Sequence, residues 1–142
     1  MTKKFEKEVY EAYEMAKKAR LNAYAEYSKV KVGAALKLKG IDKIYSGCNV
    51  ENVVNGASVC AERSAIYNSV TQQGQIDIEF VVVCSNTDPV LYPCGVCLQC
   101  LAEFSDRELD IYISNPTEIV KKVKFKDLLT VQYDRLPKVL DE

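Results

Sequence analysis

The run Phe80-Val81-Val82-Val83-Cys84 is apolar from end to end. A strand with one face in water alternates apolar and polar residues, whereas a strand covered on both faces has no need to. This stretch therefore predicts the middle of a layered α/β fold, and the flanking segments supply the layers. Upstream, Ser58 precedes a helical stretch from Val59 to about Gln72, with Gly74 just past its end. Downstream, Pro93 suits the first turn of a helix reaching about Phe104. Asp110 to Ile113 then reads as a strand, and Val120 to Phe125 as a weaker one. Nearer the N-terminus, Val30, Val32, Leu36 and Leu38 read as a strand, Lys39-Gly40 as its turn, and Ile44 to Glu51 as its partner. Phe5, Val9, Ala12, Tyr13 and Ala16 recur at three- and four-residue steps, the stripe of an amphipathic helix. The order predicts a three-layer α/β/α sandwich around a mixed five-stranded sheet, with residues 1–142 as one domain.

Composition narrows the chemistry. Nineteen Lys and Arg nearly cancel twenty Asp and Glu, and the two signs are interleaved along the chain. Polynucleotide binding needs a concentrated positive surface, so nucleic acid is excluded as a partner. Lys121, Lys122, Lys124 and Lys126 alternate with Val and Phe, as on the solvated edge of a sheet. The first eighteen residues contain no hydrophobic stretch of the secretory kind, and no run approaches the ~20 apolar residues of a membrane span. A soluble cytoplasmic protein is expected. Six cysteines in such a chain point to metal ligation or burial more than to disulfides. Histidine is absent, so hydrolytic chemistry must run on Cys, Asp, Glu, Lys or Tyr.

Two stretches carry that chemistry: Cys60-Ala61-Glu62-Arg63 and Pro93-Cys94-Gly95-Val96-Cys97. Each lies at an expected helix start, where free backbone N–H groups and the helix dipole stabilise a thiolate. Cys94 and Cys97, three residues apart, share one face of an opening turn. A third sulfur from Cys60 completes a set of three ligands for Zn²⁺, one ion per chain, with a fourth position left for water. Glu62, two residues past Cys60, is suited to move protons without being a ligand. Cys94, Cys97 and Cys100 also spell C-x-x-C-x-x-C, the spacing of iron–sulfur ligation, but on a helix Cys100 rotates away from Cys94. Cys48, Cys84 and Cys100 read instead as small core residues.

The pattern Cys-x-Glu followed by Pro-Cys-x-x-Cys is similar to the signature of zinc deaminases, with cysteine as the first ligand. Ala23-Tyr24-Ala25-Glu26-Tyr27-Ser28, Val32-Gly33-Ala34-Ala35 and Gly47-Cys48-Asn49-Val50-Glu51-Asn52 extend the match, and the chain resembles the small three-cysteine cytidine deaminases over most of its length. The resemblance implies hydrolysis of free cytidine or deoxycytidine to the uracil nucleoside in pyrimidine salvage, by a homotetramer. It implies Zn²⁺ on Cys60, Cys94 and Cys97, with Glu62 as the proton shuttle. Asn49 and Glu51 are implied to bind the sugar hydroxyls, which alternate positions on one strand would allow. Arg63 is expected to offset the excess negative charge of three thiolates on a divalent ion. Tyr133 resembles the family's C-terminal aromatic residue, which reaches a neighbouring subunit's site.

Three positions depart from the family pattern. Val30 stands where an aromatic residue is usual, Asn55 where a tyrosine is common, and Leu98 where an arginine follows the second sulfur. They keep open another aminopyrimidine substrate such as blasticidin S. A catalytically inactive zinc-binding relative is the alternative from a different class, and Glu62 argues against it.

Overall fold

The computed structural model describes residues 5–140; residues 1–4 and 141–142, which the single-domain reading takes in, lie outside the described residues. Five strands form one sheet in the order β2-β1-β3-β4-β5. They are β1 (Val32–Leu38), β2 (Ile44–Cys48), β3 (Ile78–Ser85), β4 (Asp110–Ser114) and β5 (Ile119–Lys124). Only the β3–β4 pair is parallel, and the other three pairings are antiparallel. The sheet is thus mixed, as the sequence predicts, and the apolar run at residues 80–84 lies in its central strand.

The pleat of that strand explains its lack of polar residues. Phe80, Val82 and Cys84 pack beneath helix α1 (Lys7–Arg20) together with Val9, Ala12, Tyr13 and Ala16. Val81 and Val83 point the other way, into a core shared with α2 (Ala61–Gln73) and α3 (Gly95–Glu103) through Ala65, Ile66, Leu98 and Leu101. Helices therefore cover both faces, and the three-layer sandwich follows. All seven residues of β1 are buried for the same reason.

Several boundaries differ from those read in the sequence. Helix α1 leaves out Phe5, whose ring packs edge-on against Tyr112. Val30 precedes β1, because Lys29 adopts a positive φ of 62° and the chain turns there. Strand β2 stops at Cys48 and does not reach Glu51. Beyond it, Val50 makes single bridges to Tyr24 and Val59, so the extended chain leaves β1 for new partners. Pro93 lies before α3 and not in its first turn, since the helix begins at Gly95. On the edge strand, Lys122 and Lys124 pair with Asp110 at 3.2 and 2.8 Å, in keeping with a solvated edge. Lys126 belongs instead to a short helix, α4 (Phe125–Leu128), and pairs with Glu108. Among the described residues no helix is long and apolar enough to cross a membrane.

Two glycines set how close the helical layers come. A Cβ on Gly33 would collide with the carbonyl oxygen of Ala16 in α1, and one on Gly47 with the backbone nitrogen of Ala65 in α2. Backbone cannot move aside cheaply, so overpacking here costs stability. Gly47→Ala is expected to lower stability by about 1–3 kcal/mol in urea titration. Gly56→Ala, at a position with open space around it, should leave the midpoint almost unchanged.

Candidate active site

The site forms where the starts of α2 and α3 meet. Cys60 is the N-cap of α2 and Cys94 the N-cap of α3, both in extended backbone, with φ and ψ of −73° and 158° and of −71° and 169°. The first two sulfurs thus sit one residue outside their helices, where the sequence reading had put them in the opening turn. Only Cys97 lies within a helix, on the first turn of α3. Neither Cys60 nor Cys94 makes a side-chain hydrogen bond to the first turn of its helix, but each stands at the positive end of the helix dipole, which favours a thiolate.

The Sγ atoms of Cys60, Cys94 and Cys97 lie within 4.8 Å of one another. Cys60 and Cys94 are 3.8 Å apart. Tetrahedral zinc with bonds of about 2.3 Å spaces its sulfurs by about 3.8 Å, so the donor set fits this ion. No fourth Cys, Asp or Glu joins the cluster among the described residues. Hydrogen bonding from Cys97, with further help from Arg63 and Cys94, holds the Cys60 thiol down at about 5. The Cys97 thiol moves in the opposite direction, pushed up by its bond to Cys60, by burial and by the neighbouring negative groups. Such opposed shifts mean that a negative charge on Cys60 disfavours a second one on Cys97. A divalent cation at their centre removes that conflict.

Arg63, on the same first turn as Glu62, places Nη2 3.7 Å from Cys60 Sγ. The contact raises the affinity of the guanidinium for its proton. Its Nε is buried without a hydrogen-bond partner. Cys100 stays out of the cluster: it is half-buried against the core, with Tyr67 Oη 3.9 Å from its sulfur. Iron–sulfur ligation by residues 94, 97 and 100 is therefore not built. Cys84 is fully buried, as expected of a core residue, while Cys48 is only half-buried.

A cavity of about 300 Å³ opens onto Cys60 and Cys94. Glu62 lines it while remaining 4% exposed. Burial pushes its carboxyl up from the ordinary carboxylate range, and the nearby Cys60 charge adds to the shift. Asn49 and Ser28 supply further polar lining, and Val30, Val32, Val83 and Leu91 the aliphatic walls. Asn49 also braces that wall: its Oδ1 accepts from Val32 N and its Nδ2 donates to Val30 O, both at 2.8 Å. Glu51, expected beside it, does not line this cavity. Its Oε1 accepts from Tyr27 N and Ser28 N at 3.1 Å each, and the bonds from Ser28 hold its carboxyl below the usual carboxylate range. Of the three atypical positions, only Val30 lines the cavity; Leu98 is buried in the core and Asn55 is exposed in a 3₁₀ turn.

Residues 6–113 match the family described as the cytidine and deoxycytidylate deaminase zinc-binding region. The chain belongs to this family. Among its relatives, the cytidine deaminase of Sporosarcina psychrophila is 41% identical over 100 residues, 70% of this chain and 72% of that protein. The cytidine deaminase of Halalkalibacterium halodurans is 33% identical over 111 residues, covering 78% of this chain and 83% of its own. The crystal structure of cytidine deaminase from Burkholderia pseudomallei aligns with a TM-score of 0.80 at 34% identity, over 87% of this chain and 98% of that one. As a member of the deaminase family, the chain combines the zinc-binding region with the fold of those enzymes.

Leu91 and Tyr92 are the lining residues that the sequence reading passed over. Their signal was position, immediately before Pro93 and the second sulfur motif, but nothing in their residue types marks a binding wall. Cys97→Ser should abolish stoichiometric zinc in the purified deaminase, whereas Cys100→Ser should retain about one ion per chain. Elemental analysis decides, and equal metal in both variants would remove Cys97 from the ligand set.

Proposed function

We propose that this chain, as one catalytic domain, hydrolyses the exocyclic amino group of free cytidine and deoxycytidine, releasing ammonia and a uracil nucleoside. The reading is carried by Glu62, a buried carboxyl outside the sulfur cluster that opens into the same cavity as Cys60 and Cys94. A purely structural zinc site has no use for a poised carboxyl, which weighs against an inactive relative. The cytidine deaminase relatives support the substrate.

Cys60, Cys94 and Cys97 would hold the zinc, which supplies Lewis acidity that makes water nucleophilic near neutral pH. Glu62 takes a proton from that water and gives it to the ring nitrogen beside the amino-bearing carbon, drawing electron density from the carbon that the water oxygen joins. Glu62 then takes the remaining proton of the added hydroxyl and passes it to the amino group, the C–N bond breaks, and ammonia leaves as the carbonyl forms. Asn49 retains one N–H and one lone pair beyond its backbone contacts, enough to bind a sugar hydroxyl. Glu51 has Oε2 for the same purpose while Oε1 holds residues 27 and 28. Arg63 offsets the negative charge that three thiolates leave on a divalent ion, and its contact with Cys60 supports this role.

Blasticidin S is the competing substrate, and the cytidine deaminase relatives weigh against it. The proposal extends to a cytoplasmic homotetramer acting in pyrimidine salvage. Exposed Val53, Val54, Val131 and Leu136 support assembly, as does Tyr133, which is 79% exposed while its backbone is held by Gln99.

An ultraviolet assay of cytidine, deoxycytidine, cytosine and blasticidin S on zinc-loaded protein tests the reading, and turnover of blasticidin S alone would replace it. Glu62→Gln is expected to keep its zinc and lose at least about 100-fold in kcat. Arg63→Ala should lose about 10–100-fold in activity or zinc affinity, and wild-type values for both would remove the charge-offset role.

A further inference from the structure

We propose that the ring of Tyr92 is the face on which the planar base of the substrate stacks, so that this residue sets affinity for pyrimidines at the site. The inference rests on the nucleoside reading above. Among the described residues, Tyr92 is the one aromatic residue lining a cavity whose apolar lining is otherwise Val30, Val32, Ala61, Val83 and Leu91. Aliphatic walls exclude water from a base but cannot match the charge distribution of its π face, which a ring can.

The ring is also uncommitted. Among the described residues, the ring pairs involve Phe5, Tyr10, Phe80 and Tyr112, and the lysine–ring contacts involve Tyr13, Tyr45 and Tyr112. Tyr92 takes part in none of them, and its hydroxyl has no hydrogen bond there. It is 44% exposed and also borders a wider groove beside Lys121 and Val123, so it stands between two hollows and is not packed into the core.

Its place is nevertheless fixed. The following Pro93 keeps residue 92 in extended backbone. Leu91 N donates to Ser85 Oγ at the end of β3, and Val90 packs on the core, so the loop is tied down just before Tyr92. A residue further on is Cys94, which brings the ring to the same cavity as Glu62. Large, unengaged aromatic surface held at the wall of a reaction cavity is what a heteroaromatic ligand can use.

The test compares Tyr92→Ala and Tyr92→Phe with wild type, using cytidine kinetics together with uridine affinity measured by calorimetry on the zinc-loaded enzyme. Tyr92→Ala is expected to raise both the KM for cytidine and the Kd for uridine about tenfold, with kcat changed much less. Tyr92→Phe, which keeps the ring, should restore both. Unchanged KM and Kd in Tyr92→Ala overturn the proposal, and so does a Tyr92→Phe variant as weak as the alanine one. Uridine affinity is read without turnover, so a wild type inert toward cytidine would count against deamination while the Tyr92 comparison still reports on the ring.

Discussion

Three sulfurs held within 4.8 Å of one another resist sharing negative charge, and the surrounding structure is arranged around that difficulty. Two of them are the N-caps of α2 and α3, at the positive ends of those helix dipoles, which favour a thiolate. The third lies on the first turn of α3, and Arg63 approaches from the first turn of α2. Neither helix alone makes a site. Only when both pack on the same face of the sheet, with their starts converging, do the local sulfur preferences add into a place for a divalent cation.

That convergence depends on close contact elsewhere. Helix α2 rests on β2 over Gly47, with no room for a side chain between them, which fixes the height of Cys60 and Glu62 above the sheet. Helix α1 rests on Gly33 from the opposite face. The parallel pairing of β3 with β4 requires a crossover, and α3 is that crossover, so Cys94 and Cys97 are carried back over the sheet to meet Cys60.

Asn49 and Glu51, the polar residues at and beside the cavity, hold structure, and only Asn49 of the two also lines it. Asn49 bonds the backbone of Val30 and Val32, and Glu51 bonds that of Tyr27 and Ser28. Each thereby fixes a loop that would otherwise have unpaired N–H groups at the rim. A change at either position would disturb the wall and the polar contact together. Val30 sits on that braced wall, whereas Leu98 fills the core, so the two departures from the family pattern have different physical meanings.

Features that depend on local chemistry were legible in the sequence by itself. The buried central strand followed from five apolar residues in a row, the two helices were placed to within two residues of their observed starts at Ala61 and Gly95, and the three-cysteine cluster followed from two short motifs near those starts. A thiolate near a helix N-terminus is stabilised by neighbours within a few residues, so the information is local. Only the tertiary structure decided the end of β2 at Cys48, because Val50 pairs with Tyr24 and Val59, partners that no strand pattern encodes. It alone turned Glu51 toward the backbone of a loop more than twenty residues away, and brought Tyr92 to the wall that Val30 shares. Walls and braces are made between segments distant in the chain, and their geometry exists only after the layers have packed.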